Sequence, residues 1–128
     1  KVNAAIFRHH AILTHGGRQF VSFYNPQGRV VIAFRDLPSE VWSLHRTDWA
    51  GNVKDAHNVI SLGVSPDGLL HVSYDHHGHP LRYRRSTSPL DPTSFGPPAP
   101  MTGRREARVT YPQFVNLDDG TLLFGQFA

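Results

Sequence analysis

Five of the nine histidines fall within residues 55–85, at His57, His71, His76, His77 and His79, among the chain's densest run of arginine and tyrosine. These residue types suit proton transfer and anion recognition. Imidazole titrates near neutrality, so histidine can give or take a proton at physiological pH. Arginine matches a carboxylate or sulfate with a planar, two-pronged set of donors. His57, Asp75, His77 and His79 also carry nitrogen and oxygen donors of the kind zinc accepts. No H-x-x-x-H or H-E-x-x-H spacing sets two ligands on one helix face. The expectation is therefore that no cofactor is required, with room for a structural metal ion.

The elements that must position these side chains are short strands. Apolar runs at 59–64 and 69–74 flank Ser65-Pro66-Asp67-Gly68. Proline presets φ and glycine accepts a positive φ, which is four-residue turn chemistry. A hairpin here returns the chain so that His57 and His77 should meet at one edge of one sheet. Two more hairpins follow the same plan, 19–24 with 29–34 and 110–117 with 121–127, with turn glycines at Gly28 and Gly120. A further strand is expected at 80–85, making a meander, and another around 41–46 in the stretch that carries Trp42 and Trp49. His9 and His10 sit in an apolar context that reads as native. Five prolines in residues 86–100 require an irregular surface connection.

Glycine and proline together number 21 of 128 residues and recur between the apolar runs, which favours an all-β chain. The turn glycines lie 40 and 52 residues apart (68 − 28 and 120 − 68). Short antiparallel strands at such a spacing suggest propeller blades, about three of them here. A propeller closes with at least four blades. Residues 1–128 thus read as a fragment of one β-propeller domain, beginning at Lys1 and ending inside a strand-like run. The net charge of +3 is carried almost wholly by arginine, without a block of like charges, and does not imply nucleic acid. No apolar run is long enough for a membrane helix. The absence of cysteine rules out disulfides and thiolate metal sites.

Three motifs in order, D-x-H-N at 55–58, S-Y-D-H-H-G-x-P-L-x-Y-R at 73–84 and T-Y-P-Q-F at 110–114, make residues 7–124 resemble the BNR-repeat-containing family of seven-bladed β-propellers. That family includes lyases acting on ulvan, a sulfated polysaccharide rich in rhamnose and uronic acid. The resemblance implies β-elimination at a uronate, with the two active-site histidines at His57 and His77 and Tyr111 as a further catalytic candidate. Asn58, Asp75, Arg82, Arg84 and Tyr83 are the candidate substrate contacts, although a tyrosine in the position of Tyr83 is more often a core aromatic. Asp55 and Asp75 can hold a histidine tautomer or merely end strands, and Asn58 can cap a turn or bind a sugar hydroxyl. Tyr83 and Arg85 alternate with Arg82 and Arg84, so both sets cannot line one cleft. His76 should point away from His77, and His71 should pack in mid-strand. The chain departs from the family at residues 123–128, where further tyrosine and arginine are usual.

The implied partner is an anionic polysaccharide, met in a secreted or periplasmic setting. Exposed sheet edges should favour self-association of a fragment. Two rival readings are a non-catalytic carbohydrate-binding propeller and a sialidase-type glycoside hydrolase. Hydrolysis usually wants paired carboxylates or a tyrosine nucleophile among arginines. The only glutamates, Glu40 and Glu106, lie outside the histidine-rich core.

Overall fold

The structure, a computed structural model, describes residues 12–127. His9 and His10 lie outside the described residues. Within them the chain forms ten strands: β1 (Ile12–His15), β2 (Arg18–Tyr24), β3 (Arg29–Asp36), β4 (Ser43–Ala50), β5 (Ile60–Val64), β6 (Leu70–Tyr74), β7 (His77–His79), β8 (Tyr83–Arg85), β9 (Val109–Asn116) and β10 (Leu122–Phe127). They make three antiparallel sheets, ordered β1-β2-β3-β4, β5-β6-β8 and β10-β9-β7. The all-β class and the three-blade partition expected from the turn spacing are both present.

The hairpins form where the turn residues require them. The amide of Gly28 donates to Asn25 at 2.9 Å, that of Gly68 to Ser65 at 2.8 Å and that of Gly120 to Leu117 at 2.9 Å. Strand β4 starts later and runs further than the stretch around 41–46. It is a largely exposed edge strand, so few apolar side chains mark it in the sequence. Its register slips between Arg29 and Val31, and the Thr47 hydroxyl donates to the Val30 carbonyl at 2.7 Å. The proline-rich stretch 86–100 is irregular as expected, yet it is tied to the fold. Phe95 bridges to Ser86 and packs edge-on against Trp49 at 5.3 Å.

The main core lies between the first two sheets. Phe20, Val30 and Ile32 pack with Ile60, Leu70, Val72 and Tyr74. Trp49 closes one side, stacked on Tyr74 at 5.7 Å with the Arg84 guanidinium 4.5 Å above its ring. Each aromatic pair of this kind adds about 0.5–1.5 kcal/mol beyond area burial. The second and third sheets meet differently, through polar bonds around a bare backbone. Ser61 Oγ accepts the Phe114 amide at 2.9 Å, and Asn116 Nδ2 donates to the Val64 carbonyl at 2.6 Å.

The expected strand at 80–85 shrinks to β8, and the residues before it do something that the hairpin plan did not contain. After β6 the chain crosses to the third sheet, pairs β7 with β9, and returns to pair β8 with β6. Polar, histidine-rich composition hides this three-residue strand from any apolar pattern. Its placement decides the site described below.

Gly63 lies where the second sheet approaches the third. A Cβ there would stand 2.6 Å from Leu122 Cδ1 and 2.8 Å from Phe114 Cβ. The leucine tip can move, but Phe114 Cβ is fixed to the β9 backbone. Gly63→Ala should therefore destabilise the fold by about 1–3 kcal/mol. The expected readout is a lower urea midpoint at unchanged slope, and an unchanged midpoint would show that the two sheets are not in this contact.

Candidate active site

Residues 51–59 form two successive turns, and their own polar side chains shape them. The Asn58 amide nitrogen donates to the Asp55 carbonyl at 3.2 Å, and the His57 amide donates to Asp55 Oδ1 at 2.9 Å. The second bond is an aspartate side chain capturing the backbone two residues on, the usual local habit of that residue. It leaves the His57 ring beside the same carboxylate, with Nδ1 2.6 Å from Asp55 Oδ1. The other oxygen of Asp55 reaches His77 Nδ1, also at 2.6 Å. One carboxylate thus joins two imidazoles, and the rings stack with centroids 4.1 Å apart.

His77 arrives from a different sheet. It opens β7, which pairs with β9 through His77↔Thr110 and His79↔Val109. Two residues on β7 span one on β9, a bulge at Gly78, whose φ of 70° suits glycine. The Gly78 amide donates to Thr110 Oγ1 at 2.8 Å. His57 and His77 therefore meet as expected, but across two sheets and not along the edge of one. The correction has a simple cause: the chain beyond Tyr74 finds its hydrogen-bond partners on β9.

Tyr111 joins them through a second bulge. Thr110 pairs with Phe127 and Gln113 with Gly125, three steps along β9 against two along β10. Tyr111 absorbs the extra residue at φ 52°, before Pro112. A left-handed backbone on a bulky residue costs on the order of 1–3 kcal/mol and clusters at functional sites. Here it sets the phenol ring 5.7 Å from the His57 ring and edge-on to Phe127 at 6.1 Å.

The hydrogen bond from the His57 backbone amide, followed by those from the His77 and His57 rings, holds the Asp55 carboxyl well below the usual carboxylate range. Asp55 therefore stays an anion, and both imidazoles turn Nδ1 towards it. A neutral imidazole that donates from Nδ1 carries its lone pair on Nε2, the atom suited to taking a proton. An adjacent carboxylate also stabilises the imidazolium that results. With the His57 and His77 side chains 39% and 46% exposed, the pair lies open to a ligand.

The remaining candidates separate by burial. Asp75 is buried at φ 62°, with Oδ1 accepting from the Asn52 amide at 2.8 Å and from Asn58 Nδ2 at 2.9 Å. Asn58 is fully buried and caps the loop through its bonds to Asp75 and the Asn52 carbonyl. Neither is presented to a ligand, because both supply the bonds that buried polar groups require. Arg82 pairs with Asp75 at 3.1 Å and donates to its carbonyl at 2.6 Å. Arg84 lies over Trp49 and donates to the Gly96 carbonyl at 3.1 Å, a strut of the core. Tyr83 is buried, with its hydroxyl 2.7 Å from His71 Nδ1 and its ring near Phe114. Alternation along β8 therefore sends Tyr83 and Arg84 to packing faces rather than to the histidine pair. His76 is buried, with Nε2 accepting the Arg82 amide at 2.7 Å. His79 Nδ1 accepts the His77 amide at 3.2 Å.

Among the described residues, Asp55, His57 and His77 bring their ligand atoms within 4.8 Å of one another and could hold a metal ion. Asp75 and His79, the other donors noted in the sequence, are engaged elsewhere. Arg108 went unnoticed in the sequence. Its guanidinium lies 4.0 Å from the point where a Gly78 side chain would begin, beside His77. The signal was present as three arginines within 104–108, just before Thr110-Tyr111-Pro112.

A family model for BNR repeat-containing family members matches residues 18–125. The chain belongs to the BNR repeat-containing family. Curated protein sequences give no match. Among solved structures the fold is similar to that of a PL25 polysaccharide lyase, an ulvan lyase, at 19% identity and a TM-score of 0.73. It is also similar to a PL25 ulvan lyase bound to -[GlcA(1-4)Rha3S]-, at 18% identity and a TM-score of 0.74. In both cases 98% of this chain aligns with 33% of the other, so it spans about a third of their length. At these identities the likeness establishes the fold, a partial β-propeller of three blades.

The buried His76 supplies a pH test for this BNR-family chain. Burial, then the nearby Arg82 and His79, push its pKa down from 6.5 to about 4. The folded chain therefore keeps His76 neutral between these values, while the unfolded chain protonates it. More protons are bound when unfolded, so stability falls as pH drops through that window, by at most about 3 kcal/mol. Burial lowers the His71 pKa as well, adding to the same slope. Urea midpoints measured from pH 7 to 4 should decline, and His76→Gln should flatten that decline. Parallel profiles for the two proteins would count against a neutral, buried His76.

Proposed function

We propose that this protein cleaves a uronate-containing, anionic polysaccharide by β-elimination, with His57, His77 and Tyr111 as its reacting groups. The observation that carries this reading is the Asp55 carboxylate bridging two stacked, ligand-accessible imidazoles, with a tyrosine ring against one of them. The likeness in fold to polysaccharide lyases supports it, as does the sequence resemblance. The setting would be secreted or periplasmic, where such polymers are met.

Elimination at a uronate asks for three things. The C5 proton must be removed, the charge that develops on the C5 carboxylate must be neutralised, and the leaving C4 oxygen must be protonated. One imidazole of the pair takes the C5 proton on Nε2, while Asp55 stabilises the imidazolium. The electron pair forms the C4–C5 double bond as the C4–O bond breaks. Tyr111, on the His57 side, gives its phenolic proton to the departing oxygen. In this reading the second imidazole and Arg108 hold the carboxylate, Arg108 by a two-pronged contact. No step asks Asp55 to change its charge.

Ultraviolet absorbance of the unsaturated product, on ulvan and other polyuronates, tests this directly. His57→Ala and His77→Ala should each lower the rate by about 10²–10⁴-fold with folding intact. Tyr111→Phe should lower kcat more than it raises KM. Binding without absorbance on any uronate would move the claim to a carbohydrate-binding propeller. New reducing ends without unsaturation would mean hydrolysis and overturn the mechanism.

A further inference from the structure

The loop before β9, residues 101–108, is basic and held in one shape by its own glutamate. Glu106 Oε1 accepts the backbone amides of Met101 at 3.1 Å, Thr102 at 2.5 Å and Gly103 at 2.9 Å. Gly103 and Arg105 both have a left-handed backbone, at φ 75° and 58°. The loop is also tied to each neighbour of β9. The Leu81 amide donates to the Glu106 carbonyl at 2.8 Å, fixing it to the segment that leaves β7. Gln126 Nε2 donates to the Arg105 carbonyl at 2.8 Å, fixing it to the end of β10 beside Phe127.

These ties decide where the arginines stand. In the order β10-β9-β7, Phe127 and His77 both pair with Thr110, at the N-terminal end of β9. The loop enters β9 at that end, so Arg104 and Arg105 lie on the same rim as His77 and Tyr111. Both are exposed, and among the described residues neither guanidinium is in an ion pair. The one carboxylate in the loop, Glu106, supplies a single negative charge against these two positive ones. Two cations on a braced loop, in addition to Arg108, are more than one substrate carboxylate requires.

We infer that Arg104 and Arg105 form a separate anion subsite, which binds a charged substituent on a sugar flanking the one that is cleaved. This rests on the polysaccharide reading above and adds a specificity element to it. The chemistry is that of guanidinium with a sulfate ester or a second uronate carboxylate, and either can serve as the ligand. The polymer would be gripped at two charged points, with the loop setting which bond reaches the histidines.

The test uses the protein and an Arg104→Gln/Arg105→Gln variant in gels containing ulvan, its chemically desulfated form, or a neutral polysaccharide. Retardation reads binding without turnover, so it stands apart from the lyase reading. The variant should bind native ulvan about tenfold more weakly, the scale of one or two lost charged hydrogen bonds. Loss on native but not desulfated polymer would support the subsite with sulfate as its ligand. Equal loss on both would support it with a carboxylate. Unchanged retardation on both, or equal loss on the neutral polymer, would overturn it. Where turnover is measurable, KM should rise about tenfold with kcat little altered, and a fall in kcat alone would also overturn it.

Discussion

The buried carboxylate of Asp75 is the point on which the rest of this structure depends. A charge removed from water needs partners on every side, and breaking one contact leaves the others uncompensated. Asp75 finds its partners in the Asn52 amide, the Asn58 side chain and Arg82. Those three residues come from the loop before β5 and from the segment after β7. The same carboxylate therefore holds the loop that carries Asp55 and His57 and the excursion that carries His77. Its left-handed backbone also turns the chain out of β6.

A division of labour follows from that turn. Residues that face inward around it, His76 and Asn58, bind the Arg82 amide and the Asn52 carbonyl and keep the excursion in place. Those left at the surface, His57 and His77, share the Asp55 anion and stay accessible. Because His57 sits in the turn leading into the second sheet and His77 lies in the third, the pair exists only while those sheets keep their relative position. That position is set by Gly63 against Phe114 and by the bonds of Ser61 and Asn116, a contact with almost no slack. Stability at the sheet interface and geometry at the site are one requirement.

Local strain is concentrated at the same place. The bulges at Gly78 and Tyr111 sit on β7 and β9, and each re-aims a neighbouring side chain by inserting one residue into a ladder. Glycine accepts the required backbone freely, whereas Tyr111 does not. A tyrosine held in that conformation by the ladder on both sides of its strand has a direction fixed before any ligand arrives. Such pre-positioning lowers the entropy lost when reacting groups must align.

Much was legible in the sequence alone. Turn residues act over four positions, so the three hairpins, their glycines and the all-β class follow from local chemistry. The meeting of His57 and His77 also follows, because a hairpin returns the chain wherever its strands finally pair. Tertiary structure decided the rest. It assigned His77 to the third sheet, since a three-residue polar strand has no pattern and takes its partner from β9. It chose Asp55 over Asp75 as the histidines' carboxylate, since which of two aspartates is buried depends on long-range packing. It turned Tyr83 and Arg84 inward, because strand alternation fixes which residues share a face and not which face meets the core. Near-neighbour chemistry is written in the order of residues, whereas burial is settled only when distant segments share one space.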